Sequence, residues 1–151
     1  FSSLNNDFAT GGSYSVFITD TIHHGQVTTV LLEDYVGAGD STKGQIRFLN
    51  LSPDAPPLDV WEYPDGINGY KIFSGCAYLA NDFNSLVKAQ SFTPLAAAPY
   101  YFEATLSGTA DIVLQGQMII SPQSVTTIYT KGYMSGTGSN AIDVGVIQYK
   151  P

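Results

Sequence analysis

Short stretches of the chain alternate between hydrophobic and polar residues, and the period of this alternation is two. In "GQIRFLNL" (44–51), Ile46 and Phe48 fall on one face, whereas Arg47 and Leu49 fall on the other. Such alternation, together with many β-branched and aromatic residues, is typical of half-buried strands. No apolar stripe at helical spacing runs for more than two turns. The pattern therefore predicts an all-β protein with almost no helix.

The alternating segments are separated by turn signals such as "PDG", "SPQ" and "SGTGS". The predicted strands cover residues 13–20, 25–35, 44–51, 57–63, 99–106, 110–120, 123–131 and 140–149. About eight short strands at near-regular spacing suit a sandwich or a barrel. We expect an antiparallel β-sandwich, either immunoglobulin-like or of a related Greek-key type.

The chain also contains an internal repeat. Residues 11–35 and 121–149 share one plan: a polar turn, a strand that ends in Thr and a charged residue, a Gly-containing loop, and an apolar strand that ends at Tyr. The repeat predicts three parts: a C-terminal hairpin of a preceding, truncated module (1–36), a linker (37–43) and a complete sandwich module (44–151). Because a lone hairpin leaves strand edges unpaired, we expect it to dock on the sandwich or to pair with a neighbouring chain.

Charge excludes several classes of partner. The net charge is −7, from 13 acidic and 6 basic residues, and the basic residues form no cluster. Such a surface repels phosphate backbones and anionic lipid, so we expect no nucleic-acid partner. No apolar run approaches the ~18 residues of a membrane span, so we expect no direct membrane insertion.

No catalytic or metal-binding constellation can be assembled from the sequence. His23 and His24 are adjacent, and neighbouring strand residues point to opposite faces, so the two cannot grip one zinc ion. Cys76 is the single cysteine, has no signature of a thiol nucleophile, and is expected to be a small buried hydrophobic residue. The motif of a serine hydrolase elbow is absent. We therefore predict a protein that is not an enzyme and that has no cofactor and no metal site.

The loop "SPDAPP" (52–57) is the least ordinary stretch of the chain. Its three prolines fix the backbone, and Asp54 can accept hydrogen bonds from nearby amides, so a rigid structural corner is the favoured interpretation. The alternative makes Asp54 or Asp59 a ligand for a cation or a sugar hydroxyl. A calcium site needs several oxygens in one loop, and the acidic residues here are isolated.

Arg47 and Asp59 flank this corner nearly symmetrically, and Arg47 is the only arginine. If the two strands pair around the corner, these side chains form a structural clasp. In the alternative geometry the prolines carry the chain to the opposite sheet, and the two residues never meet.

Four aromatic residues, Trp61, Tyr63, Tyr70 and Tyr78, lie within 18 residues of one another. On one sheet face they could stack against a glycan, although rings that pack the core are the commoner case. The candidate ligand contacts are thus Trp61, Tyr63, Tyr70 and Asp54, and solvent exposure of Trp61 would discriminate best.

The segment "GQIRFLNLSPDAPPLDVW" (44–61) resembles the signature of a bacterial extracytoplasmic family called domain of unknown function 4397. Three later segments, "IFSGCAY" (72–78), "FTPLAAAPYYFEATLSGT" (92–109) and "SVTTIYTKGYMSGTGSNAIDVGVI" (124–147), resemble further parts of that family in the same order. Residues 13–35 resemble the last hairpin of a preceding copy, as in members with two tandem modules. The sequence departs from the family where Pro99 and Tyr100 replace Gly-Thr and where Ser124 and Val125 replace a Tyr-Thr pair.

This resemblance implies a β-sandwich on exported or surface-anchored proteins of Gram-negative bacteria, and it implies no catalytic residues. We therefore expect a non-enzymatic, extracytoplasmic module of a surface or secreted protein that binds or spaces. Its location would be the periplasm or the outer-membrane surface, and a lipid anchor in the full-length protein stays open. One alternative is a carbohydrate-binding module that uses surface aromatics, and another is a structural stalk or adhesion module. A glycan or a surface protein is the expected partner.

Overall fold

The computed structural model describes residues 10–19, 28–34, 40–79 and 91–150. These ranges contain ten β-strands and a turn of 3₁₀-helix at Gly138–Asn140. The predicted all-β class is confirmed.

Four strands form the first sheet, in the order β10-β9-β3-β6. They are β3 (Lys43–Leu49), β6 (Thr93–Ala96), β9 (Val125–Lys131) and β10 (Asp143–Tyr149). Two of the three pairings are antiparallel, as expected. The central pairing differs, because β3 runs parallel to β9. The parallel arrangement is possible because the chain between β3 and β9 passes through the second sheet before it returns.

The second sheet is fully antiparallel and has the order β5-β4-β7-β8. Its strands are β4 (Leu58–Tyr63), β5 (Tyr70–Cys76), β7 (Ala98–Leu106) and β8 (Ile112–Ile120). Residues 50–57 carry the chain from β3 in the first sheet to β4 in the second. Ala97 alone separates β6 from β7, so the chain changes sheet there within a single residue.

The inner faces of the two sheets enclose one hydrophobic core. Its buried members come from both sheets: Ile46, Phe48, Leu58, Val60, Leu95, Tyr100, Phe102, Ala104, Ile120 and Ile128. Ile46 and Phe48 lie in this core, whereas Leu49 belongs to a second cluster on the opposite face of β3. The two-residue alternation in the sequence therefore assigned the inward and outward faces of β3 correctly.

A separate hairpin forms a third layer over the outer face of the first sheet. It consists of β1 (Tyr14–Thr19) and β2 (Thr28–Glu33), paired antiparallel. Its inward apolar side chains pack with residues of the sandwich in the second cluster: Phe17, Val30 and Leu32 with Leu49, Leu51, Leu79 and Tyr129. The hairpin therefore docks on the sandwich, which was one of the two expected arrangements. That it belongs to a preceding module stays a prediction.

Arg47 joins the docked hairpin to the first sheet. Its side chain is completely buried. The guanidinium forms an ion pair with Asp34 and donates to the carbonyl of Glu33 at 3.2 Å and to Thr127 Oγ1 at 2.9 Å. The centre of the Phe92 ring lies 4.7 Å from the guanidinium carbon. The charge is thus buried but paired, with donors used on both the hairpin and the sheet.

The structure does not form the predicted clasp between Arg47 and Asp59. Arg47 points from the first sheet toward the hairpin, whereas Asp59 lies in the second sheet and pairs with Lys71. The reason is the proline-rich corner, which carries the chain across to the other sheet. The structure thus has the alternative geometry, in which the prolines carry the chain to the opposite sheet and the two residues do not meet.

Candidate functional site

The signature corner is a network of internal hydrogen bonds centred on Asn50. The Asn50 amide donates to the carbonyls of Pro56 (3.3 Å) and Cys76 (3.1 Å). Its oxygen accepts from the Ser52 backbone N–H at 3.2 Å and from Thr130 Oγ1 at 2.9 Å. Asn50 is buried, so these bonds compensate the loss of its hydration. The network ties the corner to both sheets.

Asp54 fastens the same corner to the loop that follows β9. It accepts from the backbone N–H of Met134 (2.7 Å) and of Ser135 (3.0 Å), and from Ser135 Oγ (2.7 Å). These bonds, led by the Ser135 hydroxyl, hold the pKa of Asp54 below its ordinary value. The carboxylate is thus occupied by the protein itself, which supports the interpretation of a structural corner.

Replacing Asp54 with alanine should lower stability modestly, because three bonds to one exposed loop are lost. We expect about 1 kcal/mol, or roughly 2–4 °C in Tm, by differential scanning fluorimetry. Asp111→Ala is a matched control, because Asp111 is also exposed and its carboxylate makes no hydrogen bond in the described ranges. A Tm for Asp54→Ala equal to that of the control would contradict a structural role.

Asp59 is the most heavily bonded carboxylate in the described part of the chain. It is almost completely buried. Its five donors are Lys71 Nζ (2.6 Å), Ser74 Oγ (3.3 Å), Gly75 N (2.8 Å), Ser107 Oγ (2.9 Å) and Gly108 N (3.2 Å). Burial alone would raise the pKa of Asp59, but these donors outweigh it and hold the pKa far below its ordinary value. Asp59 is therefore held ionised by the fold, with no oxygen left for a ligand.

The outer face of the second sheet carries polar and aromatic side chains in rows. Residues directly opposite each other in an antiparallel pair share a face. One row runs Tyr63, Tyr101, Gln117, and the neighbouring row runs Trp61, Glu103, Gln115. Gln115 and Gln117 on this face are exposed, and Trp61, Tyr63, Tyr101 and Glu103 are partly exposed.

Trp61 is half-buried on this face and already engaged. Its indole N–H donates to Thr105 Oγ1 at 3.2 Å, and the Lys71 ammonium lies 4.9 Å from the centre of the ring. The ring is therefore covered on one side by a neighbouring strand. Because the indole already contacts Thr105 and Lys71, Trp61 is less available than the tyrosines to stack against a ligand.

The two tyrosines of the first row are better placed for a ligand. The rings of Tyr63 and Tyr101 meet edge to face, with centroids 5.8 Å apart. Tyr63 donates its hydroxyl proton to Glu103 at 2.7 Å, and Tyr101 donates to Gln115 at 2.6 Å. Beside the rings lies an open depression of about 500 Å³, here called the tyrosine cleft. Its lining consists of Tyr63, Pro64, Gly66, Pro99, Tyr100, Tyr101, Gln117, Met118 and Ile119.

The predicted ligand contacts are only partly brought together. Trp61 and Tyr63 share the outer face of the second sheet, whereas Asp54 lies at the corner. Tyr70 is opposite Glu62 in the register, so it points to the other side of the sheet. Tyr101, Glu103 and Gln115 were missed as site residues. The alternation of "PYYFEATL" places Tyr101 and Glu103 on one face, but only the register shows that they stand beside Tyr63 and Trp61.

The metal-ligating and thiol residues considered in the sequence form no site within the described part of the chain. In the described ranges, no three His, Cys, Asp or Glu side chains come close enough to hold a metal ion. Cys76 is half-buried, packs against the sandwich core and forms no disulfide. His23 and His24 lie outside the described residues. Among the helices that the structure describes, none has the length and apolarity to cross a membrane.

Comparison with known proteins gives one family. Residues 1–61 match the family model described as Domain of unknown function (DUF4397). The chain resembles the DUF4397 family. The predicted resemblance is therefore confirmed, while the proposal that the chain carries the second of two tandem modules stays a prediction. No curated protein matches the chain.

The DUF4397 match spans the hairpin and the corner and ends at Trp61. Within it, Arg47, Asn50, Asp54 and Asp59 all make bonds that hold the structure together. The tyrosine cleft, by contrast, is built from residues beyond the matched segment. The segment that carries the resemblance to the family therefore does not include the tyrosine cleft.

Proposed function

We propose that the chain is a non-catalytic, extracytoplasmic β-sandwich module that binds carbohydrate in the tyrosine cleft. The observation that carries this proposal is the pair of tyrosine rings, Tyr63 and Tyr101, beside polar side chains on one open sheet face. Sugar rings combine an apolar face with hydroxyls at the edge, so they suit an aromatic ring with hydrogen-bonding groups around it. A depression of about 500 Å³ has the size of a site for one or two sugar units.

The surroundings of the cleft support a polar, uncharged ligand surface. Gln115 and Gln117 stand at the ends of the two rows, and an amide can both donate to and accept from a hydroxyl. The net charge of −7 disfavours polyanionic partners. An extracytoplasmic location is supported by the resemblance to the family and by a composition rich in Tyr and Gly with only 6 basic residues.

Screening the purified domain on a glycan array tests the proposal, and the hits are then measured by calorimetry with two variants. Tyr101→Ala should weaken binding at least tenfold, which is about 1.4 kcal/mol, because the stacking ring is removed. Tyr70→Ala is the matched control, because Tyr70 is 58% exposed on the same sheet but points away from the cleft. It should bind as the parent does.

Two results would contradict the proposal. The first is a bound glycan whose affinity is the same in Tyr101→Ala and in the parent. The second is an array with no bound glycan at all, which would favour the alternative of a spacing or stalk module.

A further inference from the structure

We infer that Glu103, in the row of side chains next to the tyrosine cleft, forms a subsite for an ammonium group, so that the ligand of the cleft is a glycan with free amino groups. This inference rests on the proposed carbohydrate-binding function and narrows it to one class of sugar.

Three groups at the centre of this face, the hydroxyls of Tyr63 and Tyr101 and the carboxylate of Glu103, offer acceptors to a ligand. A tyrosine hydroxyl has one proton. The Tyr63 hydroxyl donates its hydrogen bond to Glu103, and the Tyr101 hydroxyl donates its hydrogen bond to Gln115. Both phenol oxygens therefore offer only lone pairs to a ligand, and the carboxylate oxygens of Glu103 are acceptors as well. A ligand that contacts the two phenol oxygens and Glu103 must bring donors, which ammonium groups and hydroxyls do, while the amides of Gln115 and Gln117 can donate to its other oxygens.

The charge on this face is not neutralised by the protein. Four ion pairs exist within the described ranges, and none includes Glu103. Lys71, the cation on the same face, is bound to Asp59. Asp59 is buried and accepts from five donors, whereas Glu103 is half-buried, accepts from the Tyr63 hydroxyl and has no cation beside it in the described ranges.

Aromatic rings next to an unpaired carboxylate favour an organic cation. The faces of tyrosine rings attract an ammonium group through their quadrupole, and the carboxylate adds a charge-assisted hydrogen bond. Glu103 receives the Tyr63 hydroxyl and lies opposite Trp61 in the register. A carboxylate beside two aromatic side chains, Tyr63 and Trp61, is a more specific arrangement for binding an organic cation than a group of polar side chains alone.

The spacing fits a sugar that spans the two rows. Glu103 and Tyr101 are two residues apart on one strand and share a face, so their positions are separated by about 6–7 Å. A pyranose ring stacked on the tyrosines therefore reaches Glu103 with a ring substituent. An amino sugar meets all three demands, since it offers a ring face, hydroxyl donors and an ammonium.

Two oligosaccharides with the same backbone test the inference by calorimetry. One is the β-1,4-linked hexasaccharide of glucosamine, and the other is its fully N-acetylated counterpart. At mildly acidic pH and low salt, where the amines are charged, we expect the amino form to bind at least tenfold more tightly. Glu103→Gln keeps the side-chain shape and should remove this preference. Added salt should weaken the amino form more than the acetylated form.

Glu62→Gln is the matched control. Glu62 precedes Tyr63 on the same strand but lies opposite Phe102 and Tyr70, on the other side of the sheet. Its replacement should leave the preference intact. Circular dichroism and thermal unfolding of both variants confirm that each is folded.

The outcomes separate the two proposals. Equal binding of both oligosaccharides, unchanged in Glu103→Gln, would overturn the ammonium subsite and leave carbohydrate binding standing. No binding of either oligosaccharide or of any arrayed glycan would overturn both proposals. Trilysine serves as a probe for ammonium groups without a sugar, and binding as tight as that of the amino sugar would overturn the assignment to a glycan.

Discussion

Replacing Arg47 with alanine should destabilise the protein by about 3–5 kcal/mol. The substitution leaves Asp34 buried without its cation, and a buried charge that has lost its partner costs several kcal/mol. The docked hairpin should loosen as well, because Arg47 is bonded both to Asp34 and to the carbonyl of Glu33. Urea unfolding followed by the fluorescence of the single tryptophan, Trp61, measures the loss.

Arg47→Lys is the control for charge without the forked geometry. It keeps a cation near Asp34 but loses the bond from Arg47 Nε to Thr127, so its loss should be smaller than that of alanine. In double-mutant cycles, Arg47→Ala should couple strongly to Asp34→Ala. It should be additive with Asp59→Ala to within about 0.3–0.5 kcal/mol, because the two residues lie in different sheets. Coupling of Arg47 to Asp59 in place of Asp34 would contradict the structure.

The second large effect is expected at Asp59. Replacing it with asparagine should cost about 2–4 kcal/mol, because an amide has one acceptor oxygen where the carboxylate serves five donors. The side-chain NH₂ would also face backbone N–H groups such as that of Gly75. The same urea titration measures the change, and a loss below about 1 kcal/mol would contradict the described bonding.

The pH dependence of stability gives an independent check on Asp59. Its pKa in the folded protein lies below the unfolded value, so the stabilisation is complete above the unfolded pKa of about 3.9. Stability is then lost as the pH falls from that value through the lowered pKa of the folded state. The parent should therefore lose more stability than Asp59→Asn on acidification below about pH 5. Parallel acid curves for the two proteins would argue against a lowered pKa.

Alternation in the sequence identified the strands that have one buried face, but two strands of the sandwich, β5 and β6, gave no such signal. β6 is only four residues long and contains Pro94, which normally argues against a strand. It is tolerated because β6 stands at the edge of the first sheet, where one row of backbone groups needs no partner. β5 was suggested by the resemblance to the family rather than by alternation.

The features that could not be predicted from the sequence are contacts between residues that lie far apart in the chain. Arg47 was paired with the nearest acid across the corner, whereas its partner, Asp34, comes from a hairpin that docks from outside the sandwich. Likewise, Tyr63 was recognised, but Tyr101 and Glu103 lie about forty residues away and become its neighbours only through strand register. Local patterns specify faces, while register and layer order depend on the whole fold.

The parallel pairing of β3 with β9 has a consequence for how the chain reaches its folded state. Residues 45–49 pair with residues 125–129, so the centre of the first sheet closes a loop of about 80 residues. Such long-range pairings slow folding, because the entropy of loop closure is lost before the contacts form. During synthesis, β3 emerges from the ribosome before β9 has been synthesised. The apolar residues of β3 then have no strand to pair with. The first sheet can therefore be completed only after the residues up to the end of β10 at Tyr149 have left the ribosome.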